Sequence, residues 1–178
     1  MKRVLVILVA LALAPPSMAQ AQPSKPGPEV QKLAYFLGTW KGAGEVTEEQ
    51  LKGKSSGTKT CEWFEGGFHL MCRTEATGPQ GKRSELSVMA FDEEAKVYTW
   101  YTITSDGFTL FAKGSLTGST LTWQWEEKGW GKPATFRITQ DLSSPTSLSF
   151  LVETSAAGGP WTVIEKGKAT KVKERPSR

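Results

Sequence analysis

Cysteine and histidine are nearly missing from this chain, whose 178 residues contain two cysteines and one histidine. One imidazole rules out metal centres built from several histidines and leaves a serine-histidine pair only His69 as its base. After the first residues there is no apolar run long enough to cross a bilayer as a helix. Internal repeats and low-complexity blocks are absent too. A strong charge of one sign is also missing. The formal net charge is +4, and six basic residues are gathered between Lys166 and Arg178. The body from Gln22 to Glu165 holds 14 basic and 17 acidic side chains, so it is mildly acidic. The high overall pI therefore does not argue for nucleic-acid binding. The basic tail reads as a solvated terminus, with contact to anionic lipid or polymer as its alternative.

What is present begins with a secretory signal. Met1-Lys2-Arg3 precedes an apolar run from Val4 to Ala14, then Pro15-Pro16 and the small-residue pattern Ala19-Gln20-Ala21. Cleavage after Ala21 is expected, which directs the protein to the periplasm or outside the cell. About 157 residues remain, enough for one domain with a real core. The expected organisation is a signal peptide at 1–21, a Pro-rich linker at 22–28, one domain at 29–172 and a basic tail at 173–178.

Val30, Leu33, Ala34 and Leu37 recur at helical spacing, with Gly38 just beyond, so one short amphipathic helix is expected. Everything downstream alternates at period two between turn residues. The intervals predict about ten strands, from Trp40–Thr47, Gly57–Phe64 and Phe68–Thr77 through to Trp161–Val172. Short connections favour a meander, and a meander of that length must close to remove its edges. The expected fold is all-β: a ten-stranded antiparallel up-and-down β-barrel, with the N-terminal helix plugging one end.

Both cysteines and the histidine lie in CEWFEGGFHLMC, Cys61 to Cys72. With Gly66-Gly67 as a two-residue turn, Trp63 faces Leu70 and Cys61 faces Cys72, as hydrogen-bonded pairs with α-carbons about 5.5 Å apart. That separation and an oxidising destination predict a disulfide. His69 falls on the opposite face, so a Cys-His dyad or metal site would need a bulge, and no metal is expected.

Gly53-Lys54-Ser55-Ser56-Gly57 matches the G-x-S-x-G string of serine hydrolases, but it reads as a polar loop before a strand rather than a strand-elbow-helix. Glu48-Glu49 and Glu93-Glu94 sit at turns and read as solvated charge. Glu62, Arg73 and Arg137 each interrupt an apolar strand. If their faces line the barrel they are buried charges needing a partner; if not, they are surface. Seven tryptophans, Trp130 in a turn among them, suit either a packed interior or an apolar binding wall.

The segment LAYFLGTWKGAGEV, Leu33 to Val46, resembles the opening of lipocalin-like barrels, where a helix leads into a Gly-x-Trp strand. Leu37-Gly38-Thr39-Trp40, Gly66-Gly67-Phe68, and Phe91-Asp92 with Tyr98 together are similar to the DUF1579 family of small bacterial proteins. That resemblance covers nearly all of the chain after the signal, rests on turn and packing residues, and implies a calycin-type barrel without an activity to carry over. Nitrobindin-like heme barrels open similarly but use a histidine late in the chain, and none follows His69, so no heme or other cofactor is expected.

The leading expectation is an exported, non-enzymatic barrel that binds a small apolar or amphipathic molecule. If the face of Trp63 and Leu70 lines the lumen, the wall comprises Trp63, Leu70, Val88, Tyr101, Leu110, Trp123, Phe136 and Phe150. The alternatives are an enzyme using Glu62 and Arg73 for acid-base chemistry, and an envelope interaction protein acting through its surface.

Overall fold

The protein is described here by a computed structural model over residues 25–129 and 132–173. The expected signal peptide, the linker before Lys25, Trp130 and the tail after Lys173 lie outside the described residues.

The first helix, α1 (Pro28–Lys32), starts on a proline, whose missing N–H is no loss in a first turn. It tightens into a 3-10 helix at Leu33–Phe36. A spacing of three stacks Val30, Leu33 and Phe36 in one buried row, so Phe36 is buried where an α-helix would have sent Leu37. Gly38, at φ +85°, then turns the chain into the sheet.

Ten strands follow: β1 (Gly38–Val46), β2 (Gly53–Trp63), β3 (Leu70–Gly78), β4 (Gly81–Asp92), β5 (Val97–Thr104), β6 (Thr109–Thr117), β7 (Thr120–Gly129), β8 (Lys132–Ser144), β9 (Ser147–Ala156) and β10 (Thr162–Lys171). Each pairs antiparallel with its chain neighbours, and β1 also pairs with β10, which closes the barrel. The expected fold class is therefore the observed one. One boundary differs from expectation: Gly53 to Ser56 belongs to β2 rather than to a loop, whereas Lys166 to Lys171 lies in the closing strand expected over Trp161–Val172.

The end of the barrel nearest the helix is filled. Trp40, Leu70, Met89, Tyr98, Leu110, Leu121 and Trp123 are buried there with Leu33 and Phe36. Gly114 makes this packing possible, because a Cβ at that position would meet the Trp123 ring at 2.5 Å. Polar contacts fasten the plug. Trp40 Nε1 donates to the Phe36 carbonyl at 2.9 Å, and the Tyr35 hydroxyl donates to the Ser144 and Ser147 carbonyls at 2.9 and 3.0 Å. Tyr98 donates its hydroxyl to Glu29 at 2.9 Å, and burial, reinforced by that bond, raises the phenol above its usual range.

Cys61 and Cys72 pair directly and are joined by a disulfide. Their register is the expected one, but the geometry of the pair is not. Both strands stop short of the glycines, and Phe64 N–H bonds the His69 carbonyl around a four-residue turn. That bond shifts the alternation by one step, so Cys61 and Cys72 form a non-hydrogen-bonded pair with α-carbons 4.1 Å apart. The disulfide points to a non-reducing environment. No helix among the described residues is long and apolar enough to cross a membrane.

Candidate functional site

A cavity of about 510 Å³ occupies the half of the lumen away from the helix and opens to solvent between the loops at that end. It exists because of what the inward positions lack. In β1 the face that carries Trp40 continues as Gly42 and Gly44; in β2 the face of Cys61 and Trp63 continues as Gly57 and Ser55. Ala76, Gly78 and Gly81 extend the row of small residues across β3 and β4. Bulk is thus concentrated at one end and removed at the other.

The opposite wall is apolar, formed by Ile138, Phe150 and Val152 on β8 and β9. Phe150 packs against Gly167, whose added Cβ would meet the Phe150 ring at 2.5 Å. Only glycine on β10 leaves the ring that space.

Charged groups line the same interior. Glu165 accepts a hydrogen bond from Ser55 Oγ at 2.6 Å. Arg83 stands over the Phe108 ring, with Nε 3.6 Å from Asp106, an ion pair too long to be a hydrogen bond. Lys59 is the most unusual of them. It shares the inward face of Cys61, pairs with Trp40 and Thr74, and directs its ammonium over the Trp100 ring, 5.4 Å from the centroid. Burial holds this ammonium below the usual lysine range, and the charge of Glu85 offsets part of that effect. On inward faces of the same barrel, Trp100 Nε1, Thr102 Oγ1, Trp125 Nε1 and Thr154 Oγ1 are buried without a hydrogen-bond partner among the described residues.

Of the eight expected wall residues, Phe150 alone borders the cavity. Leu70, Leu110, Trp123 and Phe136 are buried, and Trp63 packs against the same core, so these five face inward but belong to the packing. Val88 and Tyr101 are corrections. A two-residue turn at Pro79-Gln80 pairs Leu70 with Met89, so the inward residues of β4 are odd-numbered and those of β5 even-numbered. Val88 and Tyr101 pair with each other on the outer face, where Tyr101 is 48% exposed beside Phe111 and Ile103.

The three candidate charges also turn outward. Glu62 and Arg73 are exposed, which removes the residue basis of acid-base chemistry at those positions. Arg137 is bound outside, with Nε and Nη2 each 2.9 Å from Glu153 and the guanidinium 4.0 Å from the centroid of Trp161. Sequence reasoning missed Lys59, Arg83, Glu85 and Glu165. The available signal was parity: Lys59 is two residues from Cys61, as Trp63 is.

Ser55, the serine of the G-x-S-x-G string, lies mid-strand beside Glu165, whereas His69 is exposed in the hairpin loop at the other end of the barrel. The described residues contain no group of three or more potential metal ligands.

A family model described as "Protein of unknown function (DUF1579)" matches residues 25–171, which span all ten strands. The chain belongs to the DUF1579 family. No curated protein matches it. Among solved structures, this DUF1579 barrel is similar to the crystal structure of Rv2717c from M. tuberculosis, at 16% identity and a TM-score of 0.62, over 84% of this chain and 100% of that one. That similarity supports the fold. A de novo designed fluorescence-activating β-barrel aligns at 15% identity with a TM-score of 0.43, over 78% of this chain and 95% of that one.

Proposed function

We propose that the protein is exported and that its barrel binds one small apolar or amphipathic molecule in the open half of the lumen. The observation that carries this reading is the cavity of about 510 Å³, walled by Ile138, Phe150 and Val152 and floored by glycines. Its volume falls within the range of about 300–1,000 Å³ usual for small-molecule sites. Export draws on the basic-then-apolar leader ending at Ala21 and on the disulfide, which would not persist in a reducing compartment.

Native mass spectrometry of the protein purified from a periplasmic extract, compared with the denatured sample, tests both parts. The expected result is a chain beginning at Gln22 with a non-covalent mass that disappears on denaturation. A cytoplasmic chain that retains its leader would defeat the export reading. A bare mass, together with no binding of any added apolar probe, would defeat the binding reading.

A further inference from the structure

Resting on that lumenal binding reading, we propose that the ligand is an acid: a molecule with one anionic head that reaches Lys59 and an apolar portion that lies against Ile138, Phe150 and Val152. Lys59 enters the barrel, yet it makes no ion pair or hydrogen bond among the described residues; its ammonium stands over the face of Trp100. A ring face stabilises a cation but satisfies none of its three N–H donors. The nearest influential carboxylate, Glu85, acts on it through its charge without forming a contact ion pair.

The surrounding groups ask for the same partner. Trp100 Nε1 can only donate, and it is buried without an acceptor among the described residues. The Thr102 hydroxyl, on the strand that carries Trp100, is also unpartnered, and Thr102 is 3% exposed. Buried donors without acceptors are costly, so their occurrence on the inward face of the strand whose Trp100 ring the ammonium covers marks a place for an acceptor from outside the described residues. A carboxylate fits, because it accepts at several positions and carries the opposite charge.

Access is set by the register. Lys59 pairs with Thr74, and Thr74 pairs with Glu85; both of the latter border the cavity, as does Gly57 two residues before Lys59 on the same face, so Lys59 lies next to the lining residues at the inner end of the cavity. Other charged residues at inward positions are Arg83, Glu85 and Glu165, with Glu127 on the face of Trp125 and Lys171 at the plugged end, where it donates to the Tyr35 carbonyl. Ser55 holds Glu165, and Arg83 stands beside Asp106, so Lys59 is the interior cation left without a contact partner among the described residues.

The test compares decanoate, 1-decanol and decylamine, which differ only in the head group, by titration calorimetry on the purified protein at pH 7. Decanoate is expected to bind at least about tenfold more tightly than 1-decanol, and decylamine more weakly than either, which is the scale of one charge-assisted hydrogen bond. In Lys59→Met the acid and the alcohol are expected to bind alike, with alcohol affinity retained. Equal binding of acid and alcohol to the unmodified protein would overturn the acid assignment and leave lumenal binding standing. An acid preference that survives in Lys59→Met would overturn the role of Lys59. Absence of binding by all three probes would overturn both this inference and the reading beneath it. Because the comparison of head groups is made on the unmodified protein, the test does not depend on the variant folding.

Discussion

Replacing Lys59 by methionine removes an enclosed ammonium while keeping a stem of similar length. A partly buried charge without a contact partner among the described residues costs the fold part of its desolvation, so Lys59→Met should raise stability by about 1 kcal/mol in urea denaturation at pH 7. The pH dependence has a definite sign. The unfolded chain keeps the lysine proton up to its ordinary value of 10.5, whereas the folded chain releases it at a lower pH. Between those values the unfolded state binds more protons, so stability rises with pH across that window, and Lys59→Met should flatten the rise. Gly42 offers the complementary test. Its nearest neighbours leave 3.7 Å around an added Cβ, and its face points into the cavity. Gly42→Leu should abolish ligand retention in native mass spectrometry with little change in melting temperature. Phe111→Ser, on the outer face, should leave retention unchanged.

Single elements were the part of this protein most open to reading from the chain. The pairing of Cys61 with Cys72 follows from the distance of each from the hairpin centre, and a four-residue turn preserves the pairing as well as a two-residue one would. Turn length does decide which pairs exchange hydrogen bonds, and the glycines alone do not reveal where the strands stop. Replacing both cysteines by alanine should lower stability by about 2–3 kcal/mol without abolishing the fold, read from the unfolding midpoint, because the disulfide closes a short loop. The helix shows the limit of a periodic pattern. Its apolar residues fit an α-helical stripe, but the second half tightens and selects Phe36 in place of Leu37.

Closure is a property of the whole molecule and depends on one seam. β1 and β10 pair over seven residues from Trp40–Lys171 to Val46–Glu165, and Tyr35 receives a hydrogen bond from Lys171 at 3.3 Å across the plugged end. Removing Lys166 to Arg178 takes away most of the β10 side of that seam. The truncated chain should lose cooperative thermal unfolding in circular dichroism, a stronger effect than loss of a charged tail would produce. The cavity is set at this scale too. Ten strands closed into one ring leave more interior than the side chains of a single end can fill, and glycine on β1, β2 and β10 keeps the remainder open.

Period-two alternation, turn residues at regular spacing and a glycine-tryptophan strand after a short helix were sufficient for the sequence to determine a ten-stranded barrel, its helical plug and its disulfide partners. These are local or nearest-neighbour properties, and each follows from distances along the chain. Parity within one strand was legible too: Gly42 shares a face with Trp40, and Lys59 shares one with Cys61. Tertiary structure alone decided that this face is packed at one end and empty at the other. Whether inward side chains from several strands meet depends on barrel stagger and on ring volumes across the lumen. For the same reason no spacing in the chain shows that Lys59 reaches Trp100 and finds no carboxylate in contact. That pairing, and its missing counter-ion, come from distances across the barrel.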